Sequence, residues 1–317
     1  MKILIDIEEL QEQGLITAET AKVLKDHAMR DTGSTAINLL LAFGAIAVAA
    51  GLVTLTQSAP IAAALGVAFI ARGWFARTRA EVWSKLGSVW MVVGALTAAG
   101  SLGYISGNPV GAALLAAIIF GCVAVLAGSR LLIALVPLAI ESALGGSTGY
   151  WSACYEIVVR EPTMTIIVFA ILGFAAWQVT QNLRGINATL ALTFTRMCII
   201  IVNMGFWVGS LWGDSPGQLW RTTTDATAAE IISHPQIPDY AFVIAWALAL
   251  LAAGAWAAKN GRRFLVNTAA VFGAIHLYTQ WFERLGADPL AVMAAGIATI
   301  VIGLGLWHYN RKVLTET

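Results

Sequence analysis

Residues 188–213, ATLALTFTRMCIIIVNMGFWVGSLWG, are apolar enough to span a bilayer, yet Arg196 sits well inside them. A transmembrane helix needs about 20 apolar residues, and an unpaired charge within its core costs several kcal/mol. Thr189, Arg196, Asn203 and Ser210 follow one another seven residues apart. A helix drifts only about 20° over such a step, so the four share one face. Gly205 and Gly209 project from roughly the other side, in the small-xxx-small arrangement that lets membrane helices approach closely. A span with a polar seam on one face and a glycine face on the other belongs inside a helix bundle.

The rest of the chain agrees with that class. Of 317 residues, 58% are hydrophobic and 12% charged, where soluble domains carry about 25% charged residues. The mean hydropathy is +0.76, and the apolar residues come in blocks instead of alternating. Ten apolar spans can be drawn, at about 36–56, 59–76, 86–105, 109–127, 130–145, 163–180, 188–212, 240–258, 264–285 and 289–308. The fifth is the shortest and holds Pro137 and Glu141, with Gly145-Gly146 at its end, so a tilted, broken or shielded helix is expected there. With the N-terminus inside, fifteen lysines and arginines, from Lys2 to Lys312, fall in inner segments. Only Arg160, Arg221 and Arg284 fall in outer ones. That asymmetry is the positive-inside pattern, and a miscounted span in mid-chain would abolish it. The expected fold is all-α: a polytopic transmembrane bundle over residues 36–308, both ends cytoplasmic, with a short tail at 309–317.

Residues 1–35 carry seven acidic and four basic side chains, unlike the basic start of a secretory signal. They read as a small cytosolic helical hairpin. Ile3 to Gln13 forms one helix, Gly14 stops it, and Thr17 caps a second helix running to about Arg30. Such a pair is too small for a core of its own and needs the bundle or a protein partner to pack on. Two outer connections carry further structure. Trp151, Cys154, Tyr155, Val158 and Val159 fall at helical spacing and predict a short interfacial helix. In the long loop 214–239, Ser215-Pro216 predicts a helix start, and Ala226 to Ile232 a further turn or two.

The N-terminal pattern Leu10, Gly14, Leu15, Ile16, Thr17 and Ala21 is followed by glycine-rich spans, and the penultimate span opens with Arg263, Asn267 and Ala269. In these features the chain resembles a bacterial family of polytopic membrane proteins of unknown function. The resemblance implies a multi-pass protein of the bacterial inner membrane and carries no activity with it. In length and helix count the chain is also similar to ten-helix drug and metabolite transporters, although no five-plus-five repeat supports the analogy.

Candidate chemistry lies with the polar groups inside the spans. Glu141, Arg196, Asn203 and His276 can line a polar cavity for a small solute or proton, extended outward by Gln280 and Glu283 on the face of His276. The structural alternative is a Glu141–Arg196 pair locking the fifth helix to the seventh, with His276 bonded to a carbonyl. The two charges come out at similar depth when each is counted from the inner end of its own span. Arg72 and Lys85, near inner ends, are expected to snorkel. Gly107, Asn108 and Pro109 read as a tight turn. Cys122, Cys154 and Cys198 form no CxxC or Cys/His set, and His234 lacks ligand spacing, so neither a disulfide framework nor a metal is expected. No HExxH, GxSxG or P-loop is present, so neither an enzyme nor a cofactor is expected. The basic residues trace the membrane rim, which argues against nucleic acid. The function classes left are solute permeation and a non-transporting scaffold or regulatory partner acting through residues 1–35 or the glycine faces.

Overall fold

The computed structural model describes residues 57–315 apart from 80, 152–153, 218–235 and 287, together with Thr17, Thr20 and four isolated positions between 44 and 54. The first expected span, most of the N-terminal hairpin and the expected helical turn at 226–232 lie outside the described residues. Within the hairpin, Thr17 Oγ1 accepts a hydrogen bond from the Thr20 N–H at 3.2 Å, and Thr20 is helical. That is the expected N-cap, with the N3 amide satisfied by the threonine hydroxyl.

Nine helices follow among the described residues. They are α1 (Ala59–Arg79), α2 (Glu81–Ser106), α3 (Pro109–Ala127), α4 (Arg130–Ala143), α5 (Pro162–Thr180), α6 (Gly185–Trp212), α7 (Asp239–Lys259), α8 (Arg263–Leu285) and α9 (Pro289–Thr315). Six of them, α1, α2, α3, α5, α6 and α7, are long and apolar enough to cross a membrane. Their outward side chains include Ile171, Phe174, Leu248 and Leu251, each more than half exposed, a surface suited to lipid and costly in water. The protein is a helical membrane protein. Helix α4 has 14 residues, about 21 Å of rise, short of a 30 Å hydrocarbon core. Helix α8 has 23 residues but carries Asn267, His276, Gln280 and Glu283. Helix α9 runs on to Thr315, so most of the expected tail continues a helix.

The segment after α4 is a correction. Ser147–Trp151 and Cys154–Val158 form an antiparallel hairpin, β1 and β2, in register from Ser147 opposite Val158 to Trp151 opposite Cys154. A ten-residue segment satisfies helical spacing easily, but an isolated helix that short is marginal. Thr148, Tyr150, Tyr155, Ile157 and Val158 favour strands instead. The turn at Gly107 and Asn108 is formed as expected. Gly107 has φ +61°, and Asn108 Oδ1 accepts the Gly111 N–H at 3.1 Å at the start of α3.

The chain divides into two compact units, one of residues 1–107 and 119–132, the other of 108–118 and 133–317. In the first, α1 and α2 pack as an antiparallel pair, backbone against backbone, through glycines seven residues apart. A methyl built on Gly73 would lie 2.5 Å from the Gly87 carbonyl oxygen, and one on Gly94 2.6 Å from that of Gly66. The seven-residue period keeps both glycine stripes on one seam. Arg72 stays on this pair, its guanidinium carbon 4.9 Å from the Trp90 ring centroid.

Membrane helices lack a hydrophobic force between them, so close packing of this kind supplies the association energy. Gly87→Val should therefore destabilise the protein by roughly 1–3 kcal/mol through overpacking. Gly100→Ala, where a methyl meets nothing within 4 Å, should be neutral or stabilise by up to about 1 kcal/mol. Thermal unfolding in detergent checks both.

Candidate functional site

In the second unit, α6 is the central helix. Its glycines face two different neighbours. A methyl on Gly205 would lie 3.0 Å from Ile166 and 3.2 Å from Thr165 of α5, whereas one on Gly209 would lie 2.5 Å from the Phe242 ring of α7. Positions four apart differ by about 40° around the helix, enough to serve adjacent partners. Gly173 of α5 meets Cys198 of α6 in the same close fashion.

Trp246 of α7, fully buried, joins three helices. Its Nε1–H donates to Asn203 Oδ1 of α6 at 2.9 Å, and the Asn203 amide in turn donates to the Ile199 carbonyl at 2.8 Å. The His276 ring of α8 stands edge-on to the Trp246 indole at 4.9 Å, and Phe206 stacks on it at 6.5 Å. Beside it, Trp207 Nε1–H donates to Thr279 Oγ1 at 3.0 Å, a second tie between α6 and α8. Asn203 and His276, singled out from the sequence, thus meet around one tryptophan. His276 Nδ1 is buried with no hydrogen-bond partner among the described residues.

Beside the Asn203–Trp246 bond, α5, α6, α7 and α8 line a half-open cavity of about 770 Å³. Its walls are mostly apolar and aromatic, with Phe169, Leu192, Ile199, Trp177 and Trp256 among them. Three arginines also line it, Arg196, Arg262 and Arg263, and among the described residues no acidic one does. Arg196 is exposed, and its guanidinium carbon lies 4.8 Å from the ring centroid of Phe264, in the first turn of α8. The Arg196 side chain is therefore directed toward the end of α8 that carries Arg262 and Arg263. Thr195, Asn203 and Thr268 are the uncharged polar side chains of the lining, and the Thr195 and Thr268 hydroxyls donate to carbonyls of their own helices.

Glu141 lies elsewhere. The carboxylate is buried and accepts the Thr165 hydroxyl, 3.0 Å from each of its oxygens. Helix α4 ends in a Schellman motif. The Gly146 N–H donates to the Glu141 carbonyl at 2.9 Å, the Gly145 N–H to that of Ser142 at 3.2 Å, and Gly145 has φ +84°. The turn folds Gly146 back onto the Glu141 side chain, where a methyl would lie 2.6 Å from its Cγ. Thr165 is level with Gly205, and Arg196 precedes Gly205 by nine residues, about 13 Å of helix. The similar depths expected for the two charges assumed that both spans start at one level, which the short α4 does not satisfy. Among the described residues Glu141 and Arg196 form no pair, and neither Glu141, His276 nor Gln280 lines the cavity.

A second acidic group at that end of α5 is structural. Asp214 Oδ2 accepts the Thr163 N–H at 2.9 Å and so caps α5, while Glu161, fully buried, accepts the Gly217 N–H at 2.8 Å. Asp214 and Ile237 exchange backbone hydrogen bonds at 2.9 and 2.8 Å, which close the base of the loop between α6 and α7. Pro216 and Gly217 form a turn where a helix start was expected.

Sequence reasoning missed Trp246, Thr165 and the cavity roles of Arg262 and Arg263. The pair Arg262-Arg263 read only as part of the basic rim. A tryptophan seven residues inside a span, instead of at its end, was the available sign for Trp246. Comparison with protein-family models, curated proteins and solved structures finds no match to this chain, so the chemistry rests on the geometry.

Two outcomes follow for stability in detergent. Glu141→Gln and Arg196→Gln should add within about 0.5 kcal/mol, as independent sites do, and a larger coupling in the double-mutant cycle would show that the charges interact. Trp246→Phe should cost about 1 kcal/mol by stranding the buried Asn203 amide, and Asn203→Leu in that background should recover part of the loss.

Proposed function

We propose that this is a multi-pass protein of the bacterial inner membrane, with about ten spans and both termini cytoplasmic, and that the α5–α8 cavity binds and passes a small solute. One observation carries the reading: a bundle of apolar helices contains a cavity of about 770 Å³, within the roughly 300–1,000 Å³ of small-molecule sites. It is lined by charges that a purely structural core would leave out. The basic connection Lys259, Arg262 and Arg263 supports a cytoplasmic opening by the positive-inside pattern. Asn203 and Trp246 belong to the lining and His276 packs on Trp246, the place where an alternating carrier would open to the other side. Residues 1–35 would then serve regulation or a protein partner, and the reaction involves no covalent chemistry.

The test is cysteine accessibility. Cys122 and Cys198 become Ala, Cys154 becomes Ser, and a single cysteine replaces Ala253 in the cavity wall or His276 beyond Trp246. Ala253→Cys should react rapidly with an impermeant maleimide in inside-out vesicles. His276→Cys should react from outside in intact cells, more slowly than Arg160→Cys on an exposed connection. Labelling of Ala253→Cys alone would describe a binding pocket without passage. Failure of both, with Arg160→Cys and Asn260→Cys labelling normally, would overturn the cavity reading in favour of a scaffold or regulatory partner.

A further inference from the structure

We infer that the cavity takes an anionic amphiphile, its phosphate or carboxylate head held by Arg196, Arg262 and Arg263 and its apolar tail lying along the α5–α7 walls. This assignment rests on the cavity reading above and supplies the ligand class.

Charge complementarity is the first argument. Three arginines belong to the lining of one cavity, and among the described residues no carboxylate side chain does. Three like charges facing an apolar space repel one another, and an anion at that place removes the repulsion while accepting forked hydrogen bonds. The placement of the head follows from Arg196. Its guanidinium carbon lies 4.8 Å from the Phe264 ring centroid, in the first turn of the helix that Arg263 begins. A guanidinium over an aromatic ring can still offer its N–H edge to an anion.

The tail follows from the walls. Away from the arginines along α6 the lining includes Phe169, Val202 and Phe206, with Asn203 and Trp246 joined by their hydrogen bond. The uncharged polar groups there are already spoken for: the Thr195 and Thr268 hydroxyls bond their own helices, and the Asn203 oxygen accepts from Trp246. An inorganic anion alone would leave that apolar length unfilled, and a neutral hydrocarbon would leave the arginines unanswered. A molecule with both parts satisfies both ends. The chemistry belongs equally to an anionic lipid of the surrounding bilayer and to a free single-chain amphiphile.

The probe is radiolabelled dodecyl phosphate, bound to the full-length protein in phosphatidylcholine nanodiscs, with empty nanodiscs subtracted. Saturable binding is expected, with little competition from inorganic phosphate or dodecanol. Arg196→Gln and Arg263→Gln should each weaken it about tenfold, the cost of one charged hydrogen bond. Arg184→Gln, an exposed arginine outside the cavity, should leave binding unchanged, and Arg196→Lys should keep part of it. Displacement when phosphatidylglycerol is built into the nanodisc would identify bilayer lipid as the source, and retention a free amphiphile. Absence of saturable binding, equal binding of dodecanol, or equal losses with Arg184→Gln and Arg196→Gln would overturn the inference. If the cysteine in the cavity wall still labels, the cavity reading stands and only this ligand class fails. If dodecyl phosphate binds but His276→Cys never labels from outside, the ligand class stands and passage fails.

Discussion

The hydrogen bond from Trp246 to Asn203 decides how α6, α7 and α8 are spaced. Lipid chains are as apolar as the side chains they replace, so helices in a bilayer associate through contact and polar pairing. On one side of the bond, Gly209 lets the Phe242 ring come into contact with the α6 backbone. At the bond itself a buried indole, the largest fully buried side chain of the described residues, spans the gap and meets His276 and Phe206. On the other side, the cavity separates Leu192, Arg196 and Ile199 of α6 from Leu250, Ala253 and Trp256 of α7.

The two units show opposite uses of glycine. In α1 and α2, the seven-residue repeat at Gly66 and Gly73 against Gly87 and Gly94 holds two backbones together over several turns. No cavity wall is left between them. In α6 Gly205 and Gly209 stand four apart and serve different neighbours, α5 and α7, while Gly173 of α5 meets Cys198 further along the same helix.

Periodicity made the helices legible, and it misled where the segment was short. The α6 seam was readable because Arg196 and Asn203, seven apart, do line one cavity. The cap at Thr17 was readable because a hydroxyl three residues ahead of a free amide is a local arrangement, and the turn at Gly107 and Asn108 because adjacent glycine, asparagine and proline are local turn signals. The β1–β2 hairpin was not, because ten residues satisfy helical and strand patterns together, and pairing between strands is not local. Nor was the partner of Glu141. Depth counted along separate helices needs a common zero, and the Schellman turn after α4 fixes that carboxylate beside α5 by a geometry no residue count contains. Only tertiary structure brings Thr165, 24 residues on, to the carboxylate.

Arg196 carries the argument from fold to chemistry. An arginine in mid-span is costly, and pairing with Glu141 was the simplest way to offset that cost. The side chain takes another course. The guanidinium reaches along the cavity to Phe264 and joins the end of the bundle where Arg262 and Arg263 lie. Snorkelling lowers the cost of one charge, but it brings a third arginine to a lining where, among the described residues, no acid answers them. A structural core gains nothing from that arrangement, since a leucine at position 196 would pack the same wall without the repulsion. The arginine becomes favourable once an anion enters, and this is the physical reason to regard the cavity as a site instead of a packing defect.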